Sequence, residues 1–423
     1  MNRVPAFSPF RLLGIALLCC LAVSNGWSAV ARGAAARSPL ARSPLAKKRT
    51  FAHAAPHKSV AMHRPMAHRP LAQHAMLVKA VAEVKPIRKV PAPQPPVVAG
   101  GPWTEPTYAD STAGDYVDGE DMTIRRAAVD ALGSYNGSVV AVDPATGRIL
   151  TMVNQKLAIG GGFQPCSTIK VSVALAGLSE KVIQPANKLR VLPGMRMDLT
   201  YALAHSNNYY FATLGQKLGY EKVSYYAHLF GYGERAGLNI PGEQPGRFPP
   251  AVPKNGGVGM LTSFGEEIEQ TPLQLAALMT AIANGGTLYY LQYPRNQQEA
   301  SNLVPRVKRH LEIGSLIPVI TPGMRGAVEF GTAHRARDDG EIAGKTGTCS
   351  ENHTHLGWFG SFNETGRHKL VIVVLLTGGR PAIGPLAAGI AGDVYKRLNE
   401  TNYFADAQPR GPALISRQIC CQR

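Results

Sequence analysis

The stretch that decides the fold reads Ser138-Val-Val-Ala-Val-Asp143, then Pro-Ala-Thr-Gly147, then Arg148-Ile-Leu-Thr-Met-Val153. Two apolar runs rich in β-branched residues, joined by a turn-forming tetrapeptide, predict a β-hairpin. Similar strand patterns return late in the chain, at residues 341–349, 356–362 and 369–376. Because strands lie at both ends of the body and helical patterns lie between them, we expect one sheet built from the two extremities, with a helical insertion.

Helical periodicity marks the region between these strands and the end of the body. Helices are predicted at 167–181, at 198–230 as two or three short helices, at 272–284 and at about 385–399. The third is the best delimited, because Thr271 is a hydroxyl cap, Pro272 occupies the first turn and Gly285-Gly286 follow the end. The segment from Tyr289 to Ile317 has no clear pattern.

The positive charge of the chain is concentrated at its N-terminal end. Of the net +17 on 423 residues, residues 1–100 carry +14, from 15 Lys and Arg against one acidic residue, Glu83. A basic tail of this kind more often solvates itself or rests on an anionic surface than reads bases, and it lacks interleaved aromatic residues. The composition therefore disfavours a nucleic-acid partner.

The N-terminal arm divides into an export segment and a tether. Arg3 and Arg11 precede the apolar run Leu12–Val23, and Ala29-Val-Ala31 supplies the small residues of a cleavage site. Residues 1–31 are therefore predicted to be a signal peptide or, uncut, a signal anchor, and no later apolar run is long enough to span a membrane. We expect an exported protein of the cell envelope, in the periplasm or anchored in the inner membrane and facing outside, with membrane contact only through this segment.

The remaining segments follow from composition. Residues 32–134 are a basic Ala/Pro-rich tether and lead-in, residues 135–400 the globular domain and residues 401–423 a C-terminal tail. Five tether histidines lack the spacing of metal ligands, so neither a metal nor a cofactor is predicted; they are His53, His57, His63, His68 and His74.

Residues Ser167-Thr-Ile-Lys170 place a hydroxyl and an amine three positions apart at the start of a helix. That spacing puts both side chains on one face, within contact distance. A serine hydroxyl needs a neighbouring base to become a nucleophile, and a partly buried lysine near the positive end of a helix is biased towards the neutral amine that can serve. Ser-x-x-Lys is expected about once by chance in a chain of this length, and here it occurs once.

Two further patterns are weaker by themselves. Lys345-Thr-Gly-Thr348 lies in a predicted strand, where Lys345 supplies a fixed positive charge for a carboxylate and the bare Gly347 lets a substrate backbone lie against the strand. Ser-x-Asn occurs four times, but only Ser206-x-Asn208 lies between the other two patterns.

In this order, Ser167-x-x-Lys170, Ser206-x-Asn208 and Lys345-Thr-Gly347 resemble the signature set of penicillin-binding proteins and serine β-lactamases. Other stretches are similar to the transpeptidase domain in particular and extend the resemblance over about residues 135–400; they are Ala141–Leu150, Ser263–Gly265, Thr271–Ala277, Ala283–Gly286 and Ala343–Thr348. The resemblance implies an α/β fold of the α+β type, with an antiparallel sheet flanked by helices and an all-helical subdomain that carries Ser206.

The resemblance also implies a peptidoglycan D,D-transpeptidase that acylates a serine with D-Ala-D-Ala stem peptides, cross-links the cell wall and is inhibited covalently by β-lactams. Ser167 would be the nucleophile, Lys170 its base and Ser206 the relay of a proton to the leaving amine. The backbone N–H groups of Ser167 and Thr348 would form the oxyanion hole.

Substrate contacts are implied in the same way. Asn208 would hold the amide side of the donor, while Lys345, with Thr346 and Thr348, would bind the terminal carboxylate. No segment suits a glycosyltransferase, so a separate glycan polymerase is an expected partner.

Two cysteines depart from the family pattern. Cys166 stands where a small residue, usually glycine, is expected before the nucleophile, and Cys349 follows the Lys-Thr-Gly-Thr strand. Both would border one cleft, so they are expected to approach each other, either as a disulfide in an oxidising envelope or as two small buried thiols.

Three alternative functions remain at this point. A serine β-lactamase would need a second base, and neither of its usual motifs is evident; a D,D-carboxypeptidase would use water as acceptor. A catalytically silent envelope scaffold would not need the intact Ser167, Lys170, Ser206 and Lys345.

Overall fold

The computed structural model describes residues 103–337, 341–364, 368–379 and 382–405. The predicted export segment, the tether histidines and nearly all of the C-terminal tail lie outside the described residues. Among the helices of the described ranges, none has the length and apolar character that crossing a membrane requires.

A five-stranded antiparallel sheet joins the two ends of the described body, in the order β2-β1-β9-β8-β7. Its strands are β1 Gly137–Asp143, β2 Arg148–Val153, β7 Ile342–Glu351, β8 Thr354–Asn363 and β9 Val371–Gly378. Strands β1 and β2 form the predicted hairpin, and Val140 in β1 pairs with Val373 in β9. The expected sheet is confirmed, and it leaves β7 at one edge.

Two short antiparallel pairs complete the strands that the structure describes. They are β3 Leu189–Leu192 with β4 Met195–Met197, and β5 Thr287–Tyr289 with β6 Val307–His310. The stretch between Tyr289 and Ile317, which showed no pattern, begins at the end of β5 and contains only β6 and a five-residue helix, Gln297–Ser301, among turns and loops. Elements of three to five residues are too short to display a period.

The helices of the described ranges surround this sheet or form the helical insertion between β2 and β7. They are α1 Met122–Leu132, α2 Gln155–Gly160, α3 Ile169–Ser179, α4 Leu199–Ala204, α5 Asn208–Leu218, α6 Tyr220–Leu229, α7 Gly257–Phe264, α8 Pro272–Ala283, α9 Gln297–Ser301, α10 Ile317–Glu329 and α11 Gly384–Glu400, with 3₁₀ turns at Cys166–Thr168 and His334–Ala336. The predicted helices in 198–230 are α4, α5 and α6, and the closing helix is α11.

The described residues form two hydrophobic cores. Helix α8 lies in the larger one. All of its residues from Pro272 to Ala283 are buried. The Thr271 side chain accepts from the Gln274 backbone and the Gln274 side chain accepts from the Thr271 backbone, which forms a capping box. The helix predicted from its cap and its terminating glycines is confirmed.

Helix α1 was not predicted, and it packs with α11 in the second core, to which Ile124 and Leu132 contribute. Its apolar stripe is interrupted by Arg125, which is buried and pairs with Asp115 (2.7 Å) and Glu120 (3.3 Å). Arg125 therefore lies on the face of α1 that the core covers, where the two carboxylates compensate its charge.

Candidate active site

Ser167 lies in the 3₁₀ turn that leads into α3, with only 9% of its surface exposed. The turn is held by the Thr168 hydroxyl, which donates to the Pro165 carbonyl at 2.7 Å. The serine hydroxyl is therefore presented at the beginning of a buried helix.

The Lys170 ammonium or amine group is the centre of the constellation. Its Nζ lies 2.9 Å from Ser167 Oγ and 3.1 Å from Ser206 Oγ. It also lies 2.8 Å from the Ser206 carbonyl oxygen and 2.5 Å from Asn208 Oδ1. The structure thus brings Ser167, Lys170, Ser206 and Asn208 into direct contact.

Burial controls the charge of Lys170. Its side chain is fully buried, and its Nζ lies 5.7 Å from the Phe211 ring centroid and 5.9 Å from that of Phe264. Burial, and secondly the positive charge of Lys345, lower the pKa of Lys170 well below its usual value. Near neutral pH this group therefore has access to its neutral form.

Hydrogen-bond accounting agrees with a neutral amine. The Ser206 carbonyl and Asn208 Oδ1 can only accept, and a neutral amine has two N–H groups to give them. Its lone pair is then left for a hydroxyl proton, and the Ser167 hydroxyl is 2.9 Å away. The arrangement can move a proton from Ser167 to Lys170.

Ser206 reaches Lys170 because of its backbone conformation. It joins α4 to α5 with φ +53°, in the left-handed region that non-glycine residues rarely adopt. The next residue, Asn207, caps α5 by accepting from the Tyr210 N–H at 2.9 Å. Of the four Ser-x-Asn copies, this is the one that contacts the lysine, whereas Ser361 donates to the Ile372 carbonyl inside the sheet.

Lys345 is a second lysine whose surroundings control its charge. It is fully buried on β7, where its Nζ donates to the Thr346 carbonyl at 2.9 Å. Burial lowers the pKa of Lys345 to about 7, so its charge changes close to neutral pH. The cause is desolvation, because an ammonium that the packed chain surrounds loses most of its hydration.

The two threonines of β7 have partners that the sequence did not indicate. The Thr346 and Thr332 hydroxyl oxygens are 2.6 Å apart, and the Thr348 hydroxyl accepts from the Gly384 N–H at 2.8 Å. Thr332 is a component of the site that sequence reasoning missed, since Gly331-Thr332 carries no motif in a single sequence. Strand β7 stays at the edge of the described sheet, where a substrate strand can be added.

The lack of a side chain at Gly347 lets the segment before Ser167 pack closely against β7. A β-carbon at this position would lie 2.9 Å from the Pro165 carbonyl oxygen and 3.1 Å from Cβ of Trp358. The glycine was expected to admit a substrate backbone, but its close neighbour is the segment that precedes Ser167.

A Gly347→Ala variant is expected to acylate about tenfold or more slowly, because the added methyl group displaces the Pro165 backbone and with it Ser167. The measurement is the rate of covalent labelling by a fluorescent penicillin. Gly160→Ala is the matched control, since a β-carbon there has nothing within 4 Å. An unchanged rate in Gly347→Ala would contradict the close-approach argument.

Cys166 and Cys349 form a disulfide, with their Cα atoms 5.5 Å apart. The expectation that they approach each other is confirmed, and the bridged alternative is the one the structure has. The bond joins the residue before Ser167 to the residue after Thr348, across 183 positions of sequence.

Known proteins share the globular part of this chain. The family model described as the penicillin binding protein transpeptidase domain matches residues 137–396. Stage V sporulation protein D of Bacillus subtilis is 26% identical over 308 residues, covering 63% of this chain and 48% of that protein. The peptidoglycan D,D-transpeptidase MrdA of Acinetobacter baumannii is 23% identical over 356 residues, covering 65% and 52% respectively.

A solved structure shares the fold. The crystal structure of Pseudomonas aeruginosa PBP2 in complex with WCK 5153 matches with a TM-score of 0.58 at 24% identity, covering 72% of this chain and 81% of that one. This chain spans about half the length of the curated relatives named above. The expected sheet flanked by helices is thus found in a solved relative as well.

Proposed function

This chain belongs to the penicillin-binding protein transpeptidase family, and from that premise we propose that it is a peptidoglycan D,D-transpeptidase of the serine acyl-enzyme type. The observation that carries the proposal is the buried Lys170 amine, which contacts Ser167 Oγ at 2.9 Å and Ser206 Oγ at 3.1 Å. A structural lysine has no need of two hydroxyl partners in a desolvated site, whereas an acyl-transfer site needs a base and a relay.

Acylation begins when neutral Lys170 takes the Ser167 proton and Oγ attacks the carbonyl carbon of the penultimate D-Ala. The oxyanion is held by the backbone N–H groups of Ser167 and Thr348. Ser206 passes a proton from Lys170 to the nitrogen of the terminal D-Ala as the peptide bond breaks. Free D-Ala leaves, and an ester joins the stem peptide to Ser167.

Deacylation repeats these steps with an amine. The amino group of a neighbouring stem peptide attacks the ester, gives up a proton through the same relay, and forms the cross-link. Ser167 regains its proton and Lys170 returns to the neutral amine. Because the base is regenerated, the cycle needs no further group.

Substrate binding uses the strand and the insertion. Lys345, Thr346 and Thr348 bind the terminal carboxylate, Asn208 orients the donor amide, and Gly347 keeps the strand close to the nucleophile. A β-lactam carries a comparable carboxylate and acyl group, so it acylates the same serine. A separate glycan polymerase supplies the strands in the cell envelope, where the N-terminal segment delivers the protein.

The contacts around Ser167 and Lys170 favour acyl transfer to an amine over β-lactam hydrolysis. Among the described residues, no carboxylate is hydrogen-bonded to Ser167 or Lys170, which disfavours a carboxylate base for a hydrolytic water. The acyl-enzyme is therefore expected to be long-lived with penicillin.

The direct test supplies the full-length protein with a pentapeptide ending in D-Ala-D-Ala and an excess of an acceptor amine. We expect release of D-Ala and formation of the aminolysis product, followed by mass spectrometry. Release of D-Ala with only a hydrolysed product would make the protein a carboxypeptidase. Rapid loss of a penicillin label would indicate a β-lactamase. If there were neither D-Ala release nor labelling, the silent scaffold would be the remaining function.

Ligand binding is expected to weaken from pH 6 to pH 8 by about tenfold, because the charged fraction of Lys345 falls by that factor around its pKa of about 7. The sign follows from the lysine: it is positive below this pKa and neutral above it, and a carboxylate ligand prefers the positive form. Calorimetric titration of penicillin into Ser167→Ala, which cannot be acylated, measures binding alone. Lys345→Gln should bind weakly with a flat profile, and a pH-dependent profile in that variant would contradict the assignment.

A further inference from the structure

A disulfide bond links the two chain segments whose backbone N–H groups would form the oxyanion hole. Cys166 directly precedes Ser167, Cys349 directly follows Thr348, and their sulfur atoms are bonded. We propose that the Cys166–Cys349 disulfide is a positioning pair for acyl transfer, which sets the distance between the N–H of Ser167 and that of Thr348. This inference rests on the proposed function and adds a redox requirement to it.

The conformation of Cys166 is the first support. Its φ of +52° lies in the left-handed region, which glycine adopts freely and a residue with a β-carbon adopts at a cost. A cysteine persists in such a conformation when its surroundings hold it there. The bond to Cys349 is the covalent part of those surroundings.

Non-covalent contacts also attach the segment before Ser167 to the sheet. The Gln164 N–H donates to the Glu351 carboxylate at 2.8 Å, and the Gln164 carbonyl accepts from Trp358 Nε1 at 3.0 Å. Both contacts are made by Gln164, three residues before Ser167, so they hold the approach of the chain but not the nucleophile itself. The disulfide acts at the adjacent residue on both sides of the hole.

The expected consequence is a catalytic effect separate from folding. An N–H group displaced by part of an ångström still binds the ground-state carbonyl but stabilises the oxyanion less. Loss of the bond should therefore slow the acylation step by about 10- to 100-fold while leaving the dissociation constant for penicillin within a factor of about three. The pH midpoint of acylation should stay unchanged, because neither cysteine is hydrogen-bonded to Lys170.

The experiment uses the full-length protein in detergent, oxidised or treated with dithiothreitol, beside a Cys166→Ser/Cys349→Ser double variant. Reduction breaks one S–S bond, gives two thiols and converts dithiothreitol to its cyclic disulfide. Acylation by a fluorescent penicillin is measured by stopped flow over a range of concentration and pH. Circular dichroism sets a working temperature at which every sample is folded, since a bridge over 183 residues also contributes to stability.

Slower acylation with unchanged affinity, in both the reduced protein and the double variant, is the expected result. The double variant should not respond to dithiothreitol, which controls for Cys19, Cys20, Cys420 and Cys421. Equal acylation rates in folded oxidised and bridge-free protein would overturn the inference and make the disulfide a stabilising link only. Absence of acylation even in the oxidised protein would instead reject the proposed function.

Discussion

A Lys170→Ala variant is expected to be acylated by penicillin about 10³-fold more slowly than the wild type, while remaining folded. Its amine is the group that contacts both hydroxyls, at 2.9 Å for Ser167 and 3.1 Å for Ser206. Removing it deletes the proposed acceptor of the serine proton and the proposed route to the leaving nitrogen together, and general-base catalysis contributes about 10²–10⁴-fold.

Folding should survive because the lysine is itself desolvated. Its pKa is lowered by burial, so the native state pays to hold this group, and alanine removes that penalty while leaving a cavity. The cavity also provides a rescue test, since methylamine is small enough to occupy it and supply a base. Partial recovery of the acylation rate with added methylamine would assign the lost function to the amine.

Lys222→Ala is the matched control for this variant. Lys222 is half-exposed on α6 and pairs at 2.5 Å with Glu180, which is not a residue of the site. It should change neither the acylation rate nor, by more than about 1 kcal/mol, the free energy of unfolding. Undiminished acylation of Lys170→Ala would show that another group is the base.

A Ser167→Ala variant should form no covalent adduct with penicillin at any time point. The ester needs Oγ, and no other group described in the site combines a hydroxyl with the turn at the start of α3. Intact-mass spectrometry measures the adduct, and a competition assay measures reversible binding, which should persist because Lys345 and Thr346 remain.

The serine control is chosen outside the cleft. Ser301 is exposed on α9, where its hydroxyl donates to the Gln297 carbonyl at 2.8 Å. Ser301→Ala should give wild-type labelling. An adduct of full stoichiometry on Ser167→Ala would place the nucleophile elsewhere and remove the basis of the proposed mechanism.

Most of the fold could be predicted because its elements have strong local patterns. The hairpin at β1–β2, the late strands and α8 each combine a clear period with turn or capping residues. Helices α1, α7 and α10 and the short pair β5–β6 were not predicted: α1 carries Arg125 on its buried face, α10 contains Pro322, and α7, β5 and β6 are short.

Contacts that depend on spacing along one element follow directly from the amino-acid sequence. Ser167 and Lys170 are three residues apart at the start of a helix, and helical geometry brings such residues together wherever the helix lies. The strand alternation around Lys345 and the cap of α8 are local in the same sense.

Which distant groups join these residues, and in what charge state, depends on the packing of the whole chain. Ser206 meets Lys170 across 36 positions, Cys166 meets Cys349 across 183, and Thr332 contacts Thr346 from a neighbouring segment. The pKa of Lys345 falls to about 7 because the packed chain excludes water from its ammonium. Long-range contact and desolvation are properties of the whole packed chain, so no local pattern specifies them.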